Sequence, residues 1–325
     1  MTATPSPAPA PTLTEADRPF TAIAFTLAAM LLFSVMDGIA KHMTASVPPL
    51  QVVWGRYFFN TLFLLPWLLL LWRDRPLATG QPKLQLTRGL FMLGSSTFFV
   101  TGLAHLPLAQ ATAIGFVAPL MVTALSIPLL GEKVGLRRWL AVLAGFIGML
   151  IIIRPGSDQF DPAAFFPMFS ATSWALGLIM TRRMRHAEKP VTTLFYTALV
   201  GVVIMSAIMP FLWVPADAAY WGFMVVMGFL SVTGQYLLIR GFNLASASLL
   251  APFSYSNLIW TTAIGYLVFA SIPDGWTWVG ASIVIASGVY VWHRERVNAR
   301  PVVVAGASIA PTTTPASPKR RWRRG

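Results

Sequence analysis

Cysteine is absent from the 325 residues, which removes disulfides, thiolate metal sites and cysteine nucleophiles together. Charge is scarce as well: 11% of the chain is Asp, Glu, Lys or Arg, against about 25% in an ordinary soluble domain. Acidic residues number only 11, so one inside an apolar stretch needs a reason. The four histidines are scattered and offer no metal-ligand cluster, and no metal or cofactor is expected. No G-x-x-x-x-G-K-[ST] occurs, which excludes a P-loop motor in the chain, and neither H-E-x-x-H nor G-x-S-x-G is present.

Apolar sequence is what the chain has in excess. Hydrophobic residues make up 56% of it, and several runs reach the roughly 20 residues that span a hydrocarbon core. This is the composition of a membrane protein, with the lipid bilayer as its main partner. The net charge of +13 would suit a nucleic-acid binder, but the basic residues fall between apolar runs and at the C-terminus, where the bilayer accounts for them. No nucleic acid is expected. The opening MTATPSPAPAPTLTEADRP lacks the basic start and apolar core of a signal peptide and reads as a disordered leader over 1–19. The stretch 298–325 returns to Pro, Ala and Thr and ends KRRWRRG, a disordered basic tail that either serves topology or touches anionic lipid.

Apolar runs bounded by charge, Pro or Gly predict ten spans: 20–42, 49–72, 88–105, 110–130, 137–153, 162–181, 191–212, 219–239, 246–270 and 276–292. An even number places both termini on one side. If that side is the cytoplasm, 21 of the 24 Lys and Arg lie there, leaving Lys41 and Arg154 outside and Arg56 within a helix. The expected location is a bacterial-type inner membrane.

The chain also matches itself. LPLAQATAIGFVAPLM in the first half is answered by FNLASASLLAPFSYSN in the second, and RRWLAVLAGFIGMLIIIRP by WTWVGASIVIASGVYVWHRE. Phe33 and Lys41 have the spacing of Trp174 and Arg182. Two repeats of five spans, 20–153 and 162–292, must cross in opposite senses because five is odd. The predicted fold is therefore all-α, ten transmembrane helices in two inverted five-helix repeats, an arrangement that secondary transporters use for alternating access.

These residues resemble the drug/metabolite transporter superfamily, in its EamA type. APLMVTALSIPLLGEKVGLRRWLAVLAGFIGMLIII resembles the end of the first EamA repeat, and SASLLAPFSYSNLIWTTAIGYLVFASIPDGWTWVGASIVIASGVYV the end of the second. The opening VMDGIAKHM…PPLQVVWGRYFFN is similar to bacterial transporters of riboflavin and of S-adenosylmethionine. The family's first repeat often carries Trp where this chain has Phe33, so pocket residues are not transferred from it. The resemblance implies a non-enzymatic transporter of a small organic molecule, with riboflavin or a similar flat heterocycle, taken up, as the leading substrate. Export of an amino acid or amino-acid derivative is the alternative.

Asp37 interrupts LFSVMDGIAKHM in the first span. A charge at mid-membrane costs roughly 2.5–3.5 kcal/mol on insertion scales, so such an aspartate is either paired or functional. Asp37 lies about 7–8 Å, and Arg56 about 10 Å, from the same expected surface at 1.5 Å per residue. Two readings stay open: an Asp37–Arg56 or Asp37–Lys41 pair that orders helices, or a cavity in which Arg56 binds an anionic group while Asp37 takes a cationic group or a coupling proton.

A second signal is helix interruption at corresponding places, by Pro119 in GFVAP and Pro252 in APFSY. Around these breaks Gln110, Thr112, Phe116, Trp174, Gln235, Tyr236, Ser254, Tyr255, Asn257 and Trp260 are candidate cavity residues, rings to stack a heterocycle and amides to orient it. Each has packing as its rival role. Gly102, Gly145, Gly148, Gly280 and Gly288 are expected to permit close helix contact. A lipid-modifying enzyme would need a clustered acid, base or metal set that this sequence lacks, and a channel fits broken inverted repeats less well than a carrier.

Overall fold

The computed structural model describes residues 19–70, 78–131, 135–158, 160–184, 190–245 and 247–298, and the regular elements among them are all helical. In chain order they are α1 (Pro19–Met43), α2 (Pro49–Leu70), α3 (Pro82–His105), α4 (Leu108–Gly115), α5 (Ala118–Leu130), α6 (Leu136–Ile153), a 3-10 turn (Pro162–Ala164), α7 (Phe165–Met184), α8 (Pro190–Leu212), α9 (Ala218–Leu244), α10 (Ala247–Ser254), α11 (Ser256–Phe269) and α12 (Gly275–Asn298). Among the described residues, seven stretches are long and apolar enough to cross a bilayer: 19–43, 108–130, 136–153, 162–184, 192–212, 218–244 and 275–294. The expected leader and tail, apart from Pro19 and Asn298, and the loop cations Arg73, Lys133 and Lys189 lie outside the described residues.

Local chemistry sets where these helices start and how they stay closed to lipid. Four of them, α1, α2, α3 and α8, open on proline. Its missing N–H falls where a helix has no acceptor for it, and its fixed φ suits the first turn. Within the helices, hydroxyls turn back on their own backbone. Thr26 donates to Ala22 O, Thr101 to Thr97 O, Thr172 to Met168 O and Ser282 to Trp278 O, at 2.8–3.0 Å. Such bonds satisfy a polar atom where no water is at hand.

The helices pack as a pseudo-twofold pair. α1 lies against α9, α10 and α11, and α7 lies in the same way against α3, α4 and α5. α2 on α9 is answered by α8 on α3, while α2·α8 and α6·α12 pair across the axis. The register agrees: α2 opens on Pro49 and α8 on Pro190, and the left-handed C-cap Gly131 (φ 70) of α5 is answered by Ala270 (φ 51) at the end of α11. At the axis α6 and α12 touch backbone to backbone, because a methyl added at Gly148 would stand 2.8 Å from Gly280 O.

One end of the bundle gathers the ends of α1, α3, α6 and α11 with the starts of α2, α9 and α12. There Lys41 Nζ donates to Leu103 O (3.0 Å) and Leu106 O (2.7 Å) and lies 5.7 Å from the Phe269 ring centroid. Gln51 exchanges two bonds with the Val214 backbone at 2.9 and 3.1 Å. Arg154 pairs with Asp274, which also caps α12 by accepting from Thr277 N at 2.9 Å. Burial pushes the Asp274 carboxyl up, but the Thr277 hydrogen bonds and the Arg154 guanidinium outweigh it and hold the group below the usual carboxylate range. At the other end Arg183 donates to Leu129 O, joining α7 to α5. The starts of α1 and α3 and the end of α12 lie on this second side.

Two outcomes follow from this packing. Gly280→Leu is expected to lower stability by about 1–3 kcal/mol, since its neighbours include the α6 backbone at Gly148 O and Ile152 N, which cannot give way; Gly275→Ala, with open space around it, is the control. Thermal unfolding in detergent compares them. For Asp274 the folded-state value is lowered, so its stabilisation is present above the ordinary carboxylate pKa and lost as pH falls through the folded value. Acidification through about pH 4 should remove less than about 1 kcal/mol in wild type, because the pair is partly exposed to solvent, and that component should vanish in Asp274→Asn.

Candidate functional site

Asp37 sits on the inward stripe of α1 that begins with Met30 and Ser34, and it is half-buried. Arg56 projects from the second turn of α2 and donates to Ser96 Oγ of α3 at 3.3 Å. Neither pairing considered from the sequence forms. Lys41 is committed to the α3 carbonyls, Arg56 to Ser96, and the carboxylate of Asp37 takes part in no ion pair or hydrogen bond among the described residues. Arg56 is the opposite charge whose field reaches Asp37. An acid and a base thus face the same interior without neutralising each other by contact.

Trp174 supplies an aromatic wall. It stands on α7 about 140° round the helix from Phe169 and about 180° from Phe165, the exposed rings of the outer face. It lies beside the stripe of Ser170, Gly177 and Thr181 that packs on α3. Trp174 is 37% exposed. Phe33, its counterpart on α1, is packed against α9, where Gly234 leaves room for the ring.

The helix breaks meet at the centre. α4 ends at Gly115, with Phe116 as its C-cap, and α5 restarts after Val117; α10 ends at Ser254 and α11 restarts after Tyr255. The breaks are narrow turns, with Val117 N on Ile114 O (3.1 Å) and Tyr255 N on Pro252 O (3.3 Å). The rings of Phe116 and Tyr255 lie 5.1 Å apart at 60°. Pro119 follows its break by three residues and Pro252 precedes its own by three, which explains why the prolines align poorly although the breaks correspond.

The remaining candidates divide. Gln235 donates to Ser231 Oγ at 3.3 Å, and Asn60 of α2 donates to the same oxygen at 2.8 Å, a buried α2–α9 tie. Asn257 is bound to α1 through Ser34 Oγ at 3.0 Å, one turn from Asp37. Gln110 and Ser254 are half-buried on α4 and α10. Thr112 is buried and bonded to Leu108 O, and Trp260 has a buried indole N–H with no partner among the described residues. Tyr236 lies apart: it falls on the exposed stripe of α9 with Val225, Val226 and Phe229, turned away from the interior.

Sequence reasoning missed Ser96, Asn60 and Ser231, and it misplaced Arg88. Counted with the loop cations, Arg88 lies inside α3 and donates to Thr181 Oγ1 (2.6 Å), Thr193 O (3.3 Å) and Thr197 Oγ1, clamping α3 to α7 and α8. The predicted start of the third span at residue 88 was six residues late, because Pro82, the true opening residue, was read as loop. The threonines at 192, 193 and 197 were the available sign of acceptors facing a cation.

Similarity to known proteins agrees with this geometry. The model of the EamA-like transporter family matches residues 20–154 and again 162–292. An S-adenosylmethionine uptake transporter of Rickettsia bellii is 27% identical over 282 residues, covering 84% of this chain and 94% of that protein. A riboflavin transporter of Vibrio cholerae is 28% identical, covering 84% and 93%. The pseudopaline exporter CntI of Pseudomonas aeruginosa is 27% identical, covering 80% and 91%. A solved crystal structure superposes with a TM-score of 0.58 at 20% identity, over 86% of this chain and 99% of that one, a likeness of fold alone. With its two matched repeats and apolar spans, the chain belongs to the EamA-like transporter family and is a multi-pass, bacterial inner-membrane transporter of small metabolites, not an enzyme.

Proposed function

We propose that this transporter takes up a heterocyclic metabolite that carries both a cationic and an anionic group, of the S-adenosylmethionine kind, by alternating access. The observation that carries this reading is the pair Asp37 and Arg56: both face the bundle interior, and neither neutralises the other by contact. Two such charges suit a zwitterion better than an uncharged ring system. Arg56 binds the carboxylate, Asp37 the cationic centre, and the open Trp174 ring stacks the heterocycle. Relatives named for S-adenosylmethionine uptake support the choice. Riboflavin, the leading substrate from the sequence, becomes the second reading, favoured by the open Trp174 ring and by relatives such as that of Vibrio cholerae.

In this reading the twelve helices make ten spans, α4 with α5 and α10 with α11 each forming one. Both termini are cytoplasmic, supported by the cations Lys83, Arg137, Arg138, Arg182, Arg183 and Arg240 on the side where α1 starts and α12 ends. Transport then needs ties that form and part at each end. Lys41 with the α3 carbonyls and Gln51 with Val214 are suited to close the outer side, and Arg88 with the α7 and α8 threonines the inner side. The driving force is a gradient of the substrate or of protons, with Asp37 as the group that carries a coupling proton.

The test is uptake of labelled S-adenosylmethionine and labelled riboflavin by bacterial cells that import neither, with wild type, Asp37→Asn, Arg56→Gln and Trp174→Ala at matched membrane levels. Saturable S-adenosylmethionine uptake is expected, about ten- to a hundredfold weaker in either charge variant, and weakened mainly in KM by Trp174→Ala. Riboflavin uptake indifferent to both charge changes would establish the second reading. No uptake of either compound by correctly inserted wild type would overturn both, leaving export of an amino-acid-derived metabolite to be assayed.

A further inference from the structure

Between α6 and α12, at the end of the bundle where α6 begins, a groove of about 370 Å³ is lined by Arg137, Leu140, Ala141, Ala286, Ser287 and Tyr290. It belongs to neither the broken helices nor the Asp37–Arg56 interior. Its walls have two characters. Ala141 and Ala286 are small and open the cleft, and Leu140 begins an outward apolar stripe that continues through Leu143, Ile147 and Leu150, each about half exposed. The mouth is polar, with Arg137 in the first turn of α6 and Tyr290 across from it on α12.

The polar groups of the groove make no hydrogen bond or ion pair among the described residues. The Arg137 side chain is exposed and makes no hydrogen bond or ion pair among the described residues. Ser287 is only 7% exposed, yet its hydroxyl has no partner there either. A helical serine in lipid ordinarily turns back on its own backbone, as Ser282 of the same helix does to Trp278 O at 2.8 Å. Ser287 instead lines the groove. α6 starts from Gly135 with no side-chain cap, so its positive end also lies beside Arg137. Trp139 and Tyr290, 40% and 41% exposed, set this region at the depth where aromatic belts meet lipid headgroups.

We infer that this groove is a binding site for an anionic glycerophospholipid, whose phosphate is held by Arg137, Ser287 and Tyr290 and whose acyl chain runs down the Leu140–Leu150 stripe. Charge complementarity selects the ligand: a guanidinium with no partner among the described residues sits at headgroup depth over an apolar channel, and a phosphate on two acyl chains matches both parts. Because α6 and α12 come from different repeats and touch at the axis, the lipid would straddle the seam between the two halves.

The experiment is thermal unfolding of the purified full chain in mild detergent, titrated with phosphatidylglycerol, phosphatidylcholine or inorganic phosphate. A saturable rise in Tm with phosphatidylglycerol alone is expected. Arg137→Gln and Ser287→Ala should each need about tenfold more of it for the same rise, while Lys83→Gln, an exposed cation change at the same end, titrates as wild type. If Arg137→Gln does not fold, Ser287→Ala and Tyr290→Phe carry the test. Equal stabilisation by phosphatidylcholine would mean general solvation by lipid, and stabilisation by inorganic phosphate would mean an anion site without a lipid; either overturns the inference, as do groove variants that titrate like wild type.

Discussion

The constraint on which everything here depends is the lack of water in the hydrocarbon core. A backbone N–H or carbonyl that finds no partner there costs several kcal/mol, so the chain can only cross as helices that keep their hydrogen bonds to themselves. The same demand reaches the side chains. Threonine and serine hydroxyls fold back one turn, Lys41 is spent on carbonyls at the end of α3, and Arg88 is spent on threonine oxygens. Where α4–α5 and α10–α11 break, the Phe116 and Tyr255 rings meet 5.1 Å apart.

Against that background, the polar groups left without a protein partner stand out. Arg88 and Lys41 are as costly to bury as Asp37 and Arg56, but their donors are taken up by oxygens fixed on neighbouring helices, which makes them ties between helices. Asp37 has no such tie, and Arg56 has a single serine. A carboxylate kept uncommitted in the middle of a membrane protein is expensive to maintain, and a cationic partner that comes and goes is the economical account of it.

Much of this was legible in the sequence. Apolar runs located the helices within a few residues, because no polar helix competes in this medium, and the prolines at 119 and 252 marked the two interrupted stretches. The family was legible from the ends of the two repeats, which recur in order, and the family model matches both halves. What failed were matters of direction around a helix axis. Tyr236 has the right chemistry for a cavity and the right depth, but its angular position sends it outward. Arg88 was taken for a loop cation because a charge near a boundary looks the same whether the helix begins before or after it. The Asp37–Arg56 contact was a fair inference from depth alone, yet depth says nothing of the distance across a cavity.

The repeat symmetry of the frame is not shared by its chemistry. Pro49 and Pro190 begin equivalent helices, and at the same register Arg56 is answered by Thr197 and Asp37 by Leu178. The second copy has thus shed, or never had, the charges that distinguish the first. In the reading proposed above, a scaffold built twice is used as a one-sided tool: residues 19–153 carry the ionic discrimination, and the second half contributes the Trp174 ring and the frame that moves. Redesign of ligand choice would therefore be an exercise on α1 and α2, and the two orientations of the molecule, alike in outline, present different chemistry to the solutions they face.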